Sequence, residues 1–460
     1  MKIGGQQIPT RTILLALSES VLVFLGLLAA IAVGQLVRAP GPIRLTAVGL
    51  AQIALVALTY ELFLYYTEVY DLHLTRNRSA MMVRLLQAFG ASCLFLALVY
   101  AYVPALKLQK GVVIVATPLV MAMIFGWRRL LSATGVMSRR SERVAVLGTG
   151  AVGIAVVREV CARPELNWNV VGFLDRDPRN VGKPLVNPGI IATIADLKEV
   201  VRNQKIDRIM ISLKEGDQMP VGALMQLKLA GIVVEDASSV LERLTGRLTL
   251  EDPAWLIRAS GFKRSRLLTF TKRVIDVVLA SAMLLVTLPL LVVVGLMIVS
   301  ESGFPALFRQ KRIGLARRPF EIVKFRSMYR GSEDRGPMWA TDGDARITRV
   351  GRFIRKYRLD ELPQIWNVLR GDMSLVGPRP EQPYFCDVLE ERIPFFDQRH
   401  QVRPGITGWA QIKHRYSGSV EDSVRKVELD LFYIKHMSLA LDFVILLETV
   451  KVVIWARGSK

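Results

Sequence analysis

Val274-Ile-Asp-Val-Val-Leu-Ala-Ser-Ala-Met-Leu-Leu-Val-Thr-Leu-Pro289-Leu-Leu-Val-Val-Val-Gly-Leu-Met-Ile298 is an apolar run whose only charge is Asp276 and which carries a proline inside it. About 20 apolar residues suffice to cross a bilayer as a helix. Proline removes a helix hydrogen bond and clashes with the preceding turn, so a bend is expected at Pro289. Both flanks are basic, Lys263, Arg264, Arg266, Lys272 and Arg273 before, Arg309, Lys311, Arg312, Arg317 and Arg318 after. Basic flanks stay on the cytoplasmic side. A helix that enters at about 273, turns at Pro289 and leaves on the same side by about 300 satisfies length and charge together. The alternative, a straight fifth span, would strand the soluble parts on opposite sides of the membrane. Arg273 stands one helical turn before Asp276 and would pair with it.

Toward the N-terminus the pattern is that of a small parallel α/β sheet. The strand Arg143-Val-Ala-Val-Leu147 runs into Gly148-Thr-Gly150-Ala-Val-Gly153 and then a helical segment. Glycines so placed allow a tight turn and bring the backbone close to a pyrophosphate on the helix N-terminus. A second strand, Val170–Leu174, ends at Asp175, where a ribose-binding acid would lie, and Ile206–Ile211 and Ile232–Val234 supply further strands. A Rossmann-like domain of CoA- or NAD-binding type is therefore expected over 141–260. The glycines would equally serve packing of the first helix on its strand, so a nucleotide at Gly148, Gly150, Gly153 and Asp175 is one of two readings.

Earlier still, Thr12–Val37, Leu45–Tyr66, Met82–Val103 and Gly111–Leu130 are apolar and of spanning length, which predicts a four-helix transmembrane bundle over 1–135. The first is longer than a signal-peptide h-region and is read as an uncleaved span. Arg76, Arg78 and Arg84, and Arg128, Arg129, Arg139, Arg140 and Arg143, outweigh Arg38 with Arg44 and Lys107 with Lys110. The N-terminus and everything after Arg128 should be cytoplasmic. Glu19 is an intramembrane carboxylate and hence a functional suspect, though a solvated place near a helix end is the favoured reading.

Composition agrees with a membrane protein of several parts: 51% of residues are hydrophobic, and 61 Lys and Arg against 40 Asp and Glu give +21. Such a charge suits anionic lipids and phosphate-bearing substrates before nucleic acid, and part of it enforces topology. Cys93, Cys161 and Cys386 lack any CxxC spacing. His73, His400, His414 and His436 lack metal-ligand spacing, which leaves oxygen ligands for a metal.

After residue 300 come dense clusters: Arg309-Gln-Lys-Arg312, Lys324-Phe-Arg326-Ser-Met328, Asp344-Ala-Arg346-Ile-Thr-Arg349, Arg352 with Arg355, Leu359-Asp360-Glu361-Leu-Pro363-Gln364, Gly377-Pro-Arg379-Pro380-Glu381 and Arg403-Pro404-Gly-Ile-Thr-Gly408. Guanidiniums held by Pro and Gly turns grip phosphate oxygens bidentately. Asp360 and Glu361 could hold Mg²⁺, one could act as nucleophile, or the pair could merely cap a helix. The apolar stretch Ser438–Arg457 is interrupted by Asp442, Glu448 and Lys451, which suits a helix on the membrane surface or against the module.

These blocks resemble the bacterial sugar transferases, the monotopic polyprenyl-phosphate glycosyl-1-phosphate transferases, across about residues 270 to 460, through KRVIDVVLAS, FRQKRIG, VKFRSM, ARITRVGRFIRK, LDELPQIWNVLRGDMSLVGPRPE and RPGITGWAQI. The whole chain is similar to the large form of that family, and the last module to exopolysaccharide- and exosortase-associated members. The resemblance implies an α-rich catalytic module over 268–460 at the cytoplasmic face of the bacterial inner membrane. It implies that Asp360 attacks the β-phosphorus of a UDP-sugar and expels UMP, after which polyprenyl phosphate, usually undecaprenyl phosphate, takes the phosphosugar. It further implies that Glu361 and Asp360 meet Mg²⁺ and that Lys324, Arg326, Arg352, Arg355, Arg379 and Arg403 lie about the phosphates or nucleotide. Where the family often has Ser-Pro at the helix break this chain has Leu288-Pro289, so a hydroxyl-to-backbone bond must come from Thr287. Since every phosphate-handling cluster follows Phe270, the first 260 residues are expected to be dispensable for chemistry. A membrane-bound NAD-dependent epimerase or dehydratase would need a Tyr-x-x-x-Lys base, and none stands between Ser141 and Phe262. A membrane-tethered nucleotide sensor is the non-enzymatic alternative. The sequence leaves the sugar, the glycan pathway and a homodimer open.

Overall fold

The computed structural model describes residues 2–3, 6–7, 10–38, 47–67, 69–70, 78–108, 112–134, 141–214, 217–250, 257, 261–262, 265–331, 346–414 and 420–454. Of the residues singled out above, Arg44, Arg76, His73, Lys110, Arg139, Arg140, Lys263, Arg264, Asp344 and Arg457 lie outside them. The chain divides into two compact units, the first made of 8–143 with 160–169, the second of 2–7, 144–159 and 170–460.

The first unit holds four apolar helices, α1 (Thr10–Arg38), α2 (Ala47–Tyr66), α3 (Arg78–Tyr102) and α4 (Val112–Ala133), each long and apolar enough to cross a membrane. Leu27, Ile53, Leu64, Leu85, Leu96 and Ile124 are fully buried between them. Gly26 lets α1 close on α4, since a Cβ there would lie 2.5 Å from Val120 Cγ2. Glu19 is completely buried, which corrects the expectation that it is solvated. Arg128, inside α4, grips it through Nε at 2.6 Å and Nη2 at 3.0 Å and donates from Nη1 to the Val69 carbonyl at 2.8 Å. A charge buried in apolar surroundings demands such a partner.

The elements β1 (Glu142–Leu147), α5 (Ala151–Cys161), β2 (Trp168–Asp175), β3 (Ile190–Thr193), α6 (Leu197–Asn203), β4 (Arg208–Ile211), α7 (Val221–Leu229) and β5 (Val233–Asp236) build a five-stranded sheet of order β3-β2-β1-β4-β5. The β2–β3, β1–β4 and β4–β5 pairs are parallel, with Leu147 opposite Ile211. This is the doubly wound order in which ligands sit where the strand order reverses, between β1 and β4. At that crevice Ser212 stands against Gly148, Gly150 and Gly153. Ser212 accepts from Gly150 N through its carbonyl at 2.9 Å and from Gly153 N through Oγ at 2.8 Å. Gly148, at φ +94°, has the Ser212 carbonyl oxygen 2.3 Å from where a Cβ would stand, so only glycine fits. Asp175 accepts from Thr149 Oγ1 at 3.1 Å, Asp177 N at 3.1 Å and Asn180 Nδ2 at 3.2 Å. Gly150 and Gly153 thus place their amides on Ser212.

Packing does not stop at residue 260. After α8 (Ala237–Thr245), Leu248 is fully buried in the core of the C-terminal module beside Trp409 and Phe432. Trp409 Nε1 donates to the Gly246 carbonyl at 2.7 Å, Arg247 pairs with Glu428 at 2.7 Å, and Glu242 takes Lys435 at 2.8 Å and His436 at 2.6 Å. The core of the C-terminal module thus takes in residues from before 260. A fragment starting at Gly261 forfeits the burial of Leu248, about 1.5–3 kcal/mol, and leaves a buried indole donor unmet, about 1–3 kcal/mol. It should melt well below a fragment starting at Asp236, measured by thermal unfolding in the same detergent, and equal melting points would refute the point.

The run that opened the argument is one helix, α9 (Arg266–Ser302), with Pro289 inside it. Its four buried residues, Asp276, Ala280, Val294 and Ile298, lie on either side of the middle, where Leu285 and Val286 are 76% and 79% exposed. Arg273 and Asp276 do not pair with each other as expected. Arg273 donates to the Val368 and Leu369 carbonyls at 2.6 and 2.9 Å, and Asp276 accepts from Leu375 N at 3.1 Å. At the other end, Glu301 accepts from Arg349 N and Val350 N at 2.8 and 2.9 Å. Thr287 Oγ1 donates to the Met283 carbonyl at 2.7 Å, the hydroxyl-to-backbone bond required of it.

Candidate active site

The site is assembled from a hairpin, a tight turn and a proline-locked loop. The hairpin pairs β6 (Leu307–Ile313) with β7 (Pro319–Phe325) antiparallel, Lys324 facing Phe308 across the ladder. The far edge of β7 is completed by a side chain. Asn367, 1% exposed on α11 (Ile365–Arg370), accepts from Val323 N at 2.9 Å and donates to the Glu321 carbonyl at 2.7 Å. One amide thereby stands in for a neighbouring strand and fixes β7 against the turn that precedes α11. Burial pushes the Lys324 ammonium down to about 8, with Arg379 and Arg312 acting the same way and Glu361 and Asp360 opposing.

That turn is the 3₁₀ segment Leu359–Gln364, entered through Arg358 in the left-handed region at φ +54° directly after α10 (Arg349–Lys356). Arg358 occupies the cap position with no side-chain cap bond, so Asp360 and Glu361 lie in the first turn and do not cap it. Glu361 is buried and Asp360 half-buried. Arg379 Nη2 donates to Glu361 Oε1 at 2.7 Å, and Arg358 Nη1 stands 3.7 Å from the same oxygen. Burial alone would raise the Glu361 pKa, but Arg379, Lys324 and Arg358 outweigh it and hold the carboxyl ionised well below the usual range. Asp360 goes the other way. Burial and the charge of Glu361 push its pKa up, against Lys324, Arg355 and Arg379. Two adjacent carboxylates are driven apart, one fixed as an anion and the other left more basic and hence a better nucleophile.

Arg379 comes from the loop after β8 (Ser374–Val376), which pairs in parallel with β9 (Gly405–Thr407). Its own pKa is raised, chiefly by Glu361.

Of the residues expected from sequence, Asp360, Glu361, Lys324, Arg355 and Arg379 are brought into electrostatic reach of one another. Arg352 lies exposed on α10. Arg326 donates from Nη2 to the Ser302 carbonyl and hydroxyl, each at 2.9 Å, and to the Gly303 carbonyl at the end of α9. Arg403 Nε donates to the Gly371 carbonyl at 3.1 Å. Both tie backbone segments together. Arg358 and Asn367 were passed over. The signals were present, a cation two residues before Asp360 and an amide in the otherwise apolar Ile365-Trp-Asn-Val-Leu369.

Comparison with known proteins gives two family matches, Bacterial sugar transferase over residues 267–456 and CoA-binding domain over residues 66–228. The chain is 43% identical, over 52% of its length, to a UDP-N-acetylgalactosamine-undecaprenyl-phosphate N-acetylgalactosaminephosphotransferase of Aeromonas hydrophila, covering 56% of that protein. It is 34% identical over 71% of its length to an undecaprenyl-phosphate glucose phosphotransferase of Komagataeibacter xylinus, covering 62% of that protein. It is also 46% identical over 39% of its length to a UDP-glucose:undecaprenyl-phosphate glucose-1-phosphate transferase of Caulobacter vibrioides, covering 68% of that protein. The match thus spans about three fifths of the first two relatives.

Proposed function

The chain belongs to the bacterial sugar transferase family, a membrane protein with an α/β domain, and from that premise we propose that it transfers a sugar 1-phosphate from a UDP-sugar to polyprenyl phosphate, releasing UMP. The observation that carries the reading is the Asp360–Glu361 pair set among Lys324, Arg355 and Arg379. Asp360 attacks the β-phosphorus, the bond to the bridging oxygen breaks, and UMP leaves with that oxygen. The lipid phosphate then attacks the phosphosugar and frees Asp360. Lys324, Arg355 and Arg379 offset the diphosphate charge as it shifts toward the leaving group. The relatives' names support undecaprenyl phosphate as acceptor, and in this reading the transfer is the initiating step of exopolysaccharide or related glycan synthesis. Purified protein, polyprenyl phosphate, Mg²⁺ and a panel of UDP-sugars should yield UMP and lipid-linked phosphosugar with at least one donor. No UMP from any donor would defeat the proposal.

Magnesium fits the donor set. It commonly takes one or two carboxylates and fills its shell with substrate phosphates and water. Arg379 and Arg358 both approach Glu361 Oε1, which leaves Oε2, with Asp360, as the oxygens for a cation. Its chemistry there would be charge neutralisation of the diphosphate.

The N-terminal helices are four spans, the catalytic module faces the cytoplasm at the inner membrane, and α9 is re-entrant in this reading. Asp276 and Glu301 would stand about 37 Å apart in a straight helix. Both nonetheless bond into the same module, Asp276 to Leu375 and Glu301 to Arg349 and Val350, while the apolar middle is exposed. These contacts support a reading in which both ends lie on one side. In a background lacking the native cysteines, Ser265→Cys and Ser332→Cys should both be labelled from the cytoplasm. A periplasmic signal from position 332 would refute re-entrance.

A further inference from the structure

The loop that carries Arg379 is held with unusual completeness. Pro378 and Pro380 fix their own φ and confine the residues before them to extended conformations. Four successive carbonyls then each receive a donor: Pro378 from Gly405 N at 2.9 Å, Arg379 from Arg399 Nη2 at 2.8 Å, Pro380 from Arg312 Nη1 at 3.1 Å and Glu381 from Ile313 N at 3.0 Å. The second of these comes with a counter-charge at hydrogen-bond distance in an almost wholly buried pair. Arg399 Nη2 also donates to Asp430 Oδ2 at 2.8 Å, and the pair is 4% and 2% exposed. Asp430 lies on α14 (Val420–His436), Arg399 in the 3₁₀ segment Phe396–Gln401, its guanidinium 5.2 Å from the Phe396 ring centre.

A buried ion pair is seldom a net gain over apolar residues of the same volume, so its retention calls for a reason beyond stability. Its geometry supplies one. The guanidinium of Arg399 bridges a fixed carboxylate on a long helix to the backbone oxygen of the very residue whose side chain grips Glu361. We propose that Arg399, anchored by Asp430, is a positioning residue that holds the Arg379 backbone so that its guanidinium stays on Glu361 and is aimed at the diphosphate. The inference rests on the transferase reading, under which Arg379 meets the reacting phosphates.

Orienting partners of this kind are worth about 10–100-fold in activity. Arg399→Met leaves Asp430 buried without its cation and threatens the fold, so the decisive variant removes both charges, Arg399→Met with Asp430→Leu. Full-length protein of that kind should unfold near the wild-type temperature, yet release UMP about 10–100-fold more slowly, with KM for the UDP-sugar changed less than about threefold. Combined with Arg379→Lys, it should add little to the loss that Arg379→Lys alone produces, because both act through one guanidinium. Wild-type turnover from the well-folded double variant, or losses that multiply with Arg379→Lys, would overturn the proposal. Absence of UMP release from wild type would instead count against the transferase reading itself.

Discussion

Asp360→Asn should abolish turnover and leave the fold unchanged. Asn has the shape of Asp but an amide too weakly nucleophilic to attack phosphorus, so a fall on the order of 10⁴–10⁶-fold in UMP release is expected. Stability should hold, because Asp360 stands in the first turn behind Arg358 and caps nothing. The substitution relieves the burial of a charge and its repulsion with Glu361, which together outweigh the pull of Lys324, Arg355 and Arg379. Wild-type enzyme given only UDP-sugar and Mg²⁺ should release up to one UMP per site and retain labelled phosphosugar, which polyprenyl phosphate chases into lipid. Glu361→Gln should slow this burst and still show attachment. Near-normal turnover by Asp360→Asn would make the carboxylate structural and leave direct attack by the lipid phosphate as the mechanism.

Local patterns carried much of this. The apolar runs became α1 to α4 within a few residues, and the strand-to-glycine junction at Leu147-Gly148 lies where the periodicity puts it. The strand Ile190–Thr193 escapes a sequence reading because four residues after the loop holding Pro184 and Pro188 offer no period to read. Contacts distant in sequence were harder still. Nothing near Glu19 in the chain announces Arg128, and nothing near Arg273 announces the carbonyls at the end of α11. The site shows the same division. Asp360, Glu361 and the Gly-Pro-Arg-Pro loop are legible as dense local chemistry, whereas Asn367 closing a strand edge and Arg399 reaching the Arg379 carbonyl exist only once the chain has folded. Charge type alone did not separate Lys324 from Arg326, two residues away, of which the second ends on the carbonyls that close α9.

The couplings among these groups set the pH range of catalysis, and two substitutions in one ion pair should move it in opposite directions. The acid limb reports loss of the Asp360 carboxylate as pH falls through its raised pKa, and the alkaline limb reports loss of the Lys324 cation above about 8. Glu361→Gln removes an anion that raises both pKa values, so both limbs of kcat/KM should shift to lower pH. Arg379→Met removes a cation that lowers both, so the second proton of the carboxylate dyad leaves at higher pH, the Lys324 ammonium persists higher, and both limbs should shift up. The second change is also the costlier, about 10²–10³-fold in kcat, as for loss of one donor to developing negative charge. Profiles from the two variants that move the same way, or not at all, would show that Asp360 and Lys324 do not set the limbs. The dyad would then have to be assigned its roles without the field that Arg379 imposes on it.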